Sequence, residues 1–437
     1  MQSDHLPYQI EGFLLVLTIA TYGLWLLIRQ LRRGRPQLHI GRAIAAAAGI
    51  RLAAAAAISL LPNSRALRGP DELVFLAEAQ EIRASPLLDI LTGHGITPLQ
   101  QWLFALQQRL FDASDLTLRV TQIGLAVAGL ALLAVVVHDL VGPRAAQLAA
   151  WLLAFEPTNV FYSGYLHKEP LITFAVGVIA YGFLRMWHHR YLGALAFIFA
   201  GCAVATLSRP YIGWVLSAAA VAIVLHAATR SQQGGRATLL AATAVCFAVF
   251  AVSIALREAP AQLERLQASQ EANTSDSSNL KYESVDYSTP GAIAANLPVR
   301  VSAFLLRPYP WQLQGTNQQL GAIGGVIVLL TLVSVAMSLL RNRGGIMTRA
   351  GPLIYAGVPL ILAYSVISAN AGTAFRLREN VTVVLICIGC ALRVRHGEAH
   401  EQETRVPLHT GTPATGRLTC VGDGYVALVR GDGRAEG

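Results

Sequence analysis

The sequence predicts an all-α fold, a polytopic transmembrane helix bundle of about 11 spans, and three observations carry that expectation. Of 437 residues, 54% are hydrophobic and 14% charged, against roughly 25% charged in a soluble domain. Apolar runs of near-membrane length recur along nearly the whole chain. The arginines between those runs gather on alternate connections, as the positive-inside rule requires of cytoplasmic loops. That placement accounts for the net charge of +9 without a nucleic-acid partner.

Taken in order, the spans fall at about 12–30, 43–61, 117–139, 144–156, 168–186, 191–207, 210–228, 237–256, 321–340, 351–369 and 374–394. The first ten residues hold no Lys or Arg, and no small-residue cleavage pattern follows the first run, so that run is expected to stay as a span. Arg29, Arg32, Arg33, Arg35 and Arg42 follow it with no acid among them. Arg144, then Arg185 and Arg190, Arg230 and Arg236, Arg341, Arg343 and Arg349, and finally Arg393 and Arg395 fall on that same side, which is therefore cytoplasmic. The N-terminus is then outside and the C-terminus inside.

Cys202, Cys246, Cys387 and Cys390 lie in apolar runs and Cys420 in the tail, so no disulfide framework is present. Cys387-Ile388-Gly389-Cys390 has redox spacing but reads as structural inside its apolar run. His188-His189 lack a third ligand for a metal. Residues 1–395 form one membrane domain with outer loops at 62–116 and 257–320. Residues 396–437 are polar, rich in Gly, Thr and Arg, and read as a mostly disordered cytoplasmic tail with one hairpin signal at Gly422-Asp423-Gly424.

The outer segments differ in kind from the inner ones. The first carries Gly69-Pro70-Asp71-Glu72, with two adjacent carboxylates, and continues into Pro98-Leu99-Gln100-Gln101-Trp102, whose spacing suits an interfacial helix. The second runs from Glu156-Pro157 to Lys168-Glu169-Pro170. Pro157 blocks continuation of a short span, and such a break near membrane depth needs protein or a wet cavity around it. Ser208-Arg209-Pro210-Tyr211 is a tight outer turn. The third large segment contains a polar helix-like piece at 261–272, then an apolar run at 292–306 that Pro298 interrupts. It ends in Arg307-Pro308-Tyr309-Pro310-Trp311. In the last span only Val381 to Leu392 is purely apolar, so its outer half must run back through Arg376, Arg378 and Glu379 and face the bundle interior or water. Arg51, mid-span, needs an internal partner for the same reason.

Asp71 and Glu72 are thus candidate catalytic residues. Lys168, Glu169, Arg209, Arg307, Arg376 and Arg378 are candidate substrate-binding residues. A carboxylate can deprotonate an acceptor hydroxyl, and cations stabilise charge developing on a departing phosphate, a task suited to the rigid arginine fork. The set fits group transfer from a lipid phosphate at the bilayer surface, with membrane lipids as its surroundings.

At these residues the chain resembles the C-type membrane glycosyltransferase superfamily (GT-C), particularly its bacterial members that use polyprenyl-phosphate sugars. The matching features are Arg51-Leu52, Asp71-Glu72, Ala77-Glu78-Ala79, and Pro157 with Tyr162 and Lys168-Glu169. Arg209-Pro210 and Gly372-Thr373-Ala374-Phe375-Arg376-Leu377-Arg378 complete them, over about residues 45–395. The resemblance implies a GT-C-like bundle with extracytoplasmic, usually inverting, transfer from a polyprenyl-phosphate-linked sugar donor. It gives Asp71, with Glu72 beside it, the part of general base or metal-site residue, which leaves a divalent metal ion open. Two departures are an extra first span, 12–30, and no recognisable soluble domain after the last span, so the acceptor, whether glycan, lipid or protein, is undefined. The alternatives are a lipid-linked polysaccharide polymerase or ligase, or a flippase for lipid-linked glycans; the absence of internal repeats weighs against the last.

Overall fold

A computed structural model of the chain describes residues 6–60, 70–86, 98–230, 241–249, 290–313, 316–341, 345–368 and 370–393, with a few single positions between them. In chain order the helices are α1 Leu6–Arg33, α2 Gly41–Leu60, α3 Pro70–Arg83, α4 Leu99–Phe111, α5 Asp115–Val141, α6 Pro143–Phe155 and α7 Pro157–Ser163. They continue as α8 Glu169–Trp187, α9 Tyr191–Ser208, α10 Pro210–Arg230, α11 Pro290–Leu306, α12 Thr316–Arg341, α13 Ile346–Ile367 and α14 Ala371–Arg393. The fold is an all-α polytopic bundle. Two units are distinguished, Met1–Val394 and Arg395–Gly437; the tail's expected disorder and hairpin fall in the second, outside the described residues.

Among the described residues, eight helices are long and apolar enough to cross a membrane. Three further expected spans depart from that standard, each for its own reason. Helix α6 has only 13 residues, about 20 Å at helical rise, because Pro157 ends it. Helix α14 has 23 residues but carries charge in its outer half. Of 237–256, the stretch 241–249 is helical and both ends fall largely outside the described residues, as does most of the polar piece at 261–272.

Helix starts follow local chemistry. Ser114 caps α5 by accepting the Thr117 N–H at 3.4 Å. Prolines open α6 and α7 at Pro143 and Pro157, where a missing N–H costs nothing. Gly142, between α5 and α6, has φ of +104°, a region that side-chain-bearing residues avoid. Helix α8 packs against α9 and α5, α14 against α12 and α13, α2 against α5 and α6, and α1 against α5. At the α5–α8 crossing, a Cβ on Gly177 would stand 2.4 Å from the Gly129 carbonyl oxygen. Only glycine permits this approach, the small-residue contact common between membrane helices.

Buried arginines complete helix ends that prolines break. The Leu153 carbonyl would ordinarily accept from residue 157, but Pro157 has no N–H. The Thr158 N–H, which Ala154 would use, donates to Glu156 Oε1 at 3.2 Å instead. Arg51, fully buried on α2, donates to both freed carbonyls at 3.1 Å and to Asn159 Oδ1 at 2.6 Å. A cation at a helix C-terminus also complements its dipole. The internal partner that Arg51 demanded is therefore a broken helix end. Arg378 does the same for α11. Phe304 would accept from Pro308, which cannot donate, and Arg378 Nε fills that carbonyl at 2.8 Å. Arg378 also donates to the carbonyls of Gly321, at 3.3 Å, and Arg307. On the arginine-rich side, Arg35 Nε donates to Asp139 Oδ1 at 2.6 Å and ties the end of α1 to the end of α5.

Candidate active site

Four stretches reach one spot at the end of the bundle opposite Arg35 and Asp139: the start of α3, the loop 164–168 with the start of α8, the α9–α10 turn, and the first turns of α14. Helix α3 opens on Pro70 with Asp71 and Glu72 in its first turn, where carboxylates complement the free N–H groups. Asp71 Oδ2 pairs with Arg376 Nη1, bridging 305 residues of sequence. Arg376 Nε lies 3.1 Å from Glu169 Oε1. Arg209 Nη2 donates to that same oxygen at 2.5 Å, and Arg209 Nη1 donates to the Tyr211 hydroxyl at 2.8 Å. Glu169 is fully buried, whereas the Asp71 side chain is 45% exposed and that of Arg376 20%. Two arginines thus hang from one buried carboxylate, and one of them reaches out to a half-open one.

Lys168 completes the cationic wall. Its ammonium lies 5.0 Å from the centre of the Phe75 ring, and Phe75 sits one helical turn beyond Asp71 on α3. Burial, followed by the neighbouring Arg209, lowers the Lys168 pKa below the usual lysine range. For Asp71 burial pulls upward, but the attraction of Arg376 and the hydrogen bond to it win, and its carboxyl lies below the ordinary aspartate range.

Glu72 has a different environment. It is fully buried, ion-paired to Arg119 of α5, and accepts the Leu166 N–H at 3.3 Å. Arg119 also donates to the Gly164 carbonyl, so the pair clamps α3 and α5 to the loop that carries Lys168. Arg378 serves the backbone carbonyls named above. Arg307 is part-exposed, with its guanidinium 5.7 Å from the centre of the Tyr309 ring. Of the eight residues expected from the sequence, then, Asp71, Lys168, Glu169, Arg209 and Arg376 come together; Glu72, Arg307 and Arg378 have these other neighbours.

Several groups at the site were not singled out from the sequence. His167 is 4% exposed, its ring stacked 5.6 Å from Tyr165 and edge-on to Phe75 and Tyr162. Its buried Nδ1 has no hydrogen-bond partner among the described residues. Burial lowers its pKa to about 4, so the ring is neutral at pH 7. Glu379, one turn deeper than Arg376 on α14, is wholly buried with neither oxygen hydrogen-bonded among the described residues. The buried Tyr364 hydroxyl and Glu169 Oε2 are in the same condition. The sequence held signals for some of these: Glu379 is a charge inside the last span, and His167 adjoins Lys168-Glu169. Arg119, the partner of Glu72, is likewise a charge inside a span, like Arg51.

No three His, Cys, Asp or Glu side chains among the described residues gather as metal ligands would. Asp71 and Glu169 both already have guanidinium partners.

The model of the dolichyl-phosphate-mannose-protein mannosyltransferase family matches residues 94–255. Over that stretch the chain is similar to the GT-C membrane glycosyltransferases. The glycosyltransferase match takes in Lys168, Glu169 and Arg209 and the helices α4 to α10, including the start of α8 and the α9–α10 turn that carry them, but ends before Arg376 and begins after Asp71. It indicates a multi-pass membrane glycosyltransferase. No curated protein and no solved structure matches the chain.

Proposed function

We propose that this protein transfers a sugar from a polyprenyl-phosphate donor to an acceptor hydroxyl at the outer face of a bacterial inner membrane. Asp71 takes the proton from that hydroxyl. The acceptor oxygen forms a bond to the anomeric carbon as the bond from that carbon to the phosphate oxygen breaks. The electron pair leaves with the phosphate, and attack opposite the leaving group inverts the anomeric centre. Arg376, Arg209 and Lys168 neutralise the phosphate as its charge grows. Glu169 fixes the two arginines; Glu72 and Arg378 hold the frame in which the cluster sits. No step requires a metal.

The single observation that carries this reading is the meeting of a half-exposed carboxylate on α3 with cations from three other stretches. The family match at 94–255 supplies the reaction class.

The test is a membrane assay with a radiolabelled polyprenyl-phosphate sugar and extracted cell-envelope acceptors. Asp71→Asn is expected to lower transfer by about two to four orders of magnitude, the range for loss of a general base. Transfer at the wild-type rate would overturn the mechanism. Movement of the lipid across vesicles without a covalent product would favour a flippase.

A further inference from the structure

In the structure the proposed base is not free. Asp71 gives Oδ2 to Arg376, and a carboxylate held by a guanidinium is a weak proton acceptor. The two ends of this contact differ. Asp71 is 45% exposed and would be hydrated at once on release, whereas Glu169, the other carboxylate on Arg376, is fully buried. Separating Arg376 from Glu169 would strand a charge in the interior, the costly case. Arg209 further anchors Glu169. An arriving anion that competes for Arg376 would therefore displace Asp71 and leave Glu169 in place. A phosphate is a strong competitor, because it offers the guanidinium fork two oxygens at once.

We propose that Arg376 is a latch exchanged between Asp71 and the donor's phosphate, so that donor binding releases the carboxylate and the acceptor is engaged only afterwards. This rests on the reading that the site takes a lipid-linked sugar phosphate. Glu169 is the pivot: it keeps Arg376 at the site in both positions. The order protects the donor, since no free base stands by to activate water before the phosphate is seated. After Arg376, the largest electrostatic influences on Asp71 come from His167 and Arg209; the buried His167 ring is neutral at pH 7, Arg209 is held by Glu169, and Lys168 of the same wall lies against Phe75, so Arg376, the residue in direct contact, is the controlling partner.

The experiment uses the purified full-length protein in detergent, a water-soluble carbodiimide with an amine, and peptide mass spectrometry at Asp71. Radiolabelled polyprenyl monophosphate is the probe, its bound fraction counted directly, with uncharged polyprenol and inorganic phosphate as controls. Bound polyprenyl phosphate is expected to raise modification of Asp71 several-fold, because a carboxyl released from Arg376 more readily hands a proton to the carbodiimide and adds its oxygen to the reagent's central carbon. Polyprenol should leave it unchanged. A rise with inorganic phosphate would show that the anion alone operates the latch. Arg376→Gln should show the raised rate without ligand and no further rise with it. Polyprenyl phosphate that binds without changing Asp71 would overturn the latch and leave the transferase reading standing. Failure of polyprenyl phosphate to bind at all would overturn both. The wild-type comparison decides the matter even where the variant does not fold.

Discussion

Asp71 and Glu72 are neighbours, yet a helical step of about 100° per residue sends them to different surroundings. Asp71 meets Arg376 in a half-open cluster, and Glu72 meets Arg119 in a closed one. Their substitutions should therefore fail differently. Glu72→Gln leaves Arg119 buried without its counter-charge, a loss of about 3–5 kcal/mol. It should appear as low yield and a lowered melting temperature. Asp71→Asn should melt near wild type and lose transfer. A Glu72→Gln protein of normal stability would show that the clamp is not structural. His167 gives a pH signature. Its folded pKa of about 4 lies below the usual value of about 6.5, so the unfolded chain takes up the proton first as pH falls. Stability from this group is complete above about pH 6.5 and is lost towards about pH 4. His167→Asn should flatten that part of the curve of melting temperature against pH; an unchanged slope would contradict the neutral, buried ring. The sequence showed that Asp71 and Glu72 were awkward at a membrane face. It could not show which one stays open, because that depends on a partner 47 residues away in one case and 305 in the other.

Among the elements, the break between α6 and α7 shows how far local rules reach. Pro157 marks the break in the sequence, and the need of Arg51 for a partner was equally legible there. What could not be read is that the two answer each other, since the carbonyls of Leu153 and Ala154 lie over 100 residues from Arg51. Arg51→Leu should leave those carbonyls and Asn159 short of donors, at about 1–3 kcal/mol for each buried group. Thermal unfolding in detergent checks this, and a variant as stable as wild type would refute the capping role. The α5–α8 crossing gives a second case. Gly177→Leu would drive its side chain into the backbone of Gly129; overpacking of this kind costs about 1–3 kcal/mol. It should also weaken transfer, because α8 carries Glu169 at its first turn. A stable, active Gly177→Leu protein would show the crossing to be looser than the structure has it.

For the molecule as a whole, charge geography was the most legible feature. Arginine alternation set the expected sidedness, and length with apolarity set the spans, eight of which stand as membrane-length helices among the described residues. Helix α14 shows the limit: its charged outer half had to face inward, and it does, with Arg378 and Glu379 buried. Convergence of Asp71, the Lys168 loop, Arg209 and Arg376 was beyond the sequence, since each approach is fixed by packing between helices far apart in the chain. That convergence at an outward face is the central claim. The most direct test is cross-linking of Asp71→Cys with Arg376→Cys, in a background with Cys246→Ser and Cys420→Ser because Cys246 is exposed, by a short membrane-impermeant bifunctional thiol-reactive reagent. Applied to intact spheroplasts, the reagent is predicted to join the two positions within one chain. A cross-link that forms only in inverted vesicles, or does not form from either side, would contradict the account.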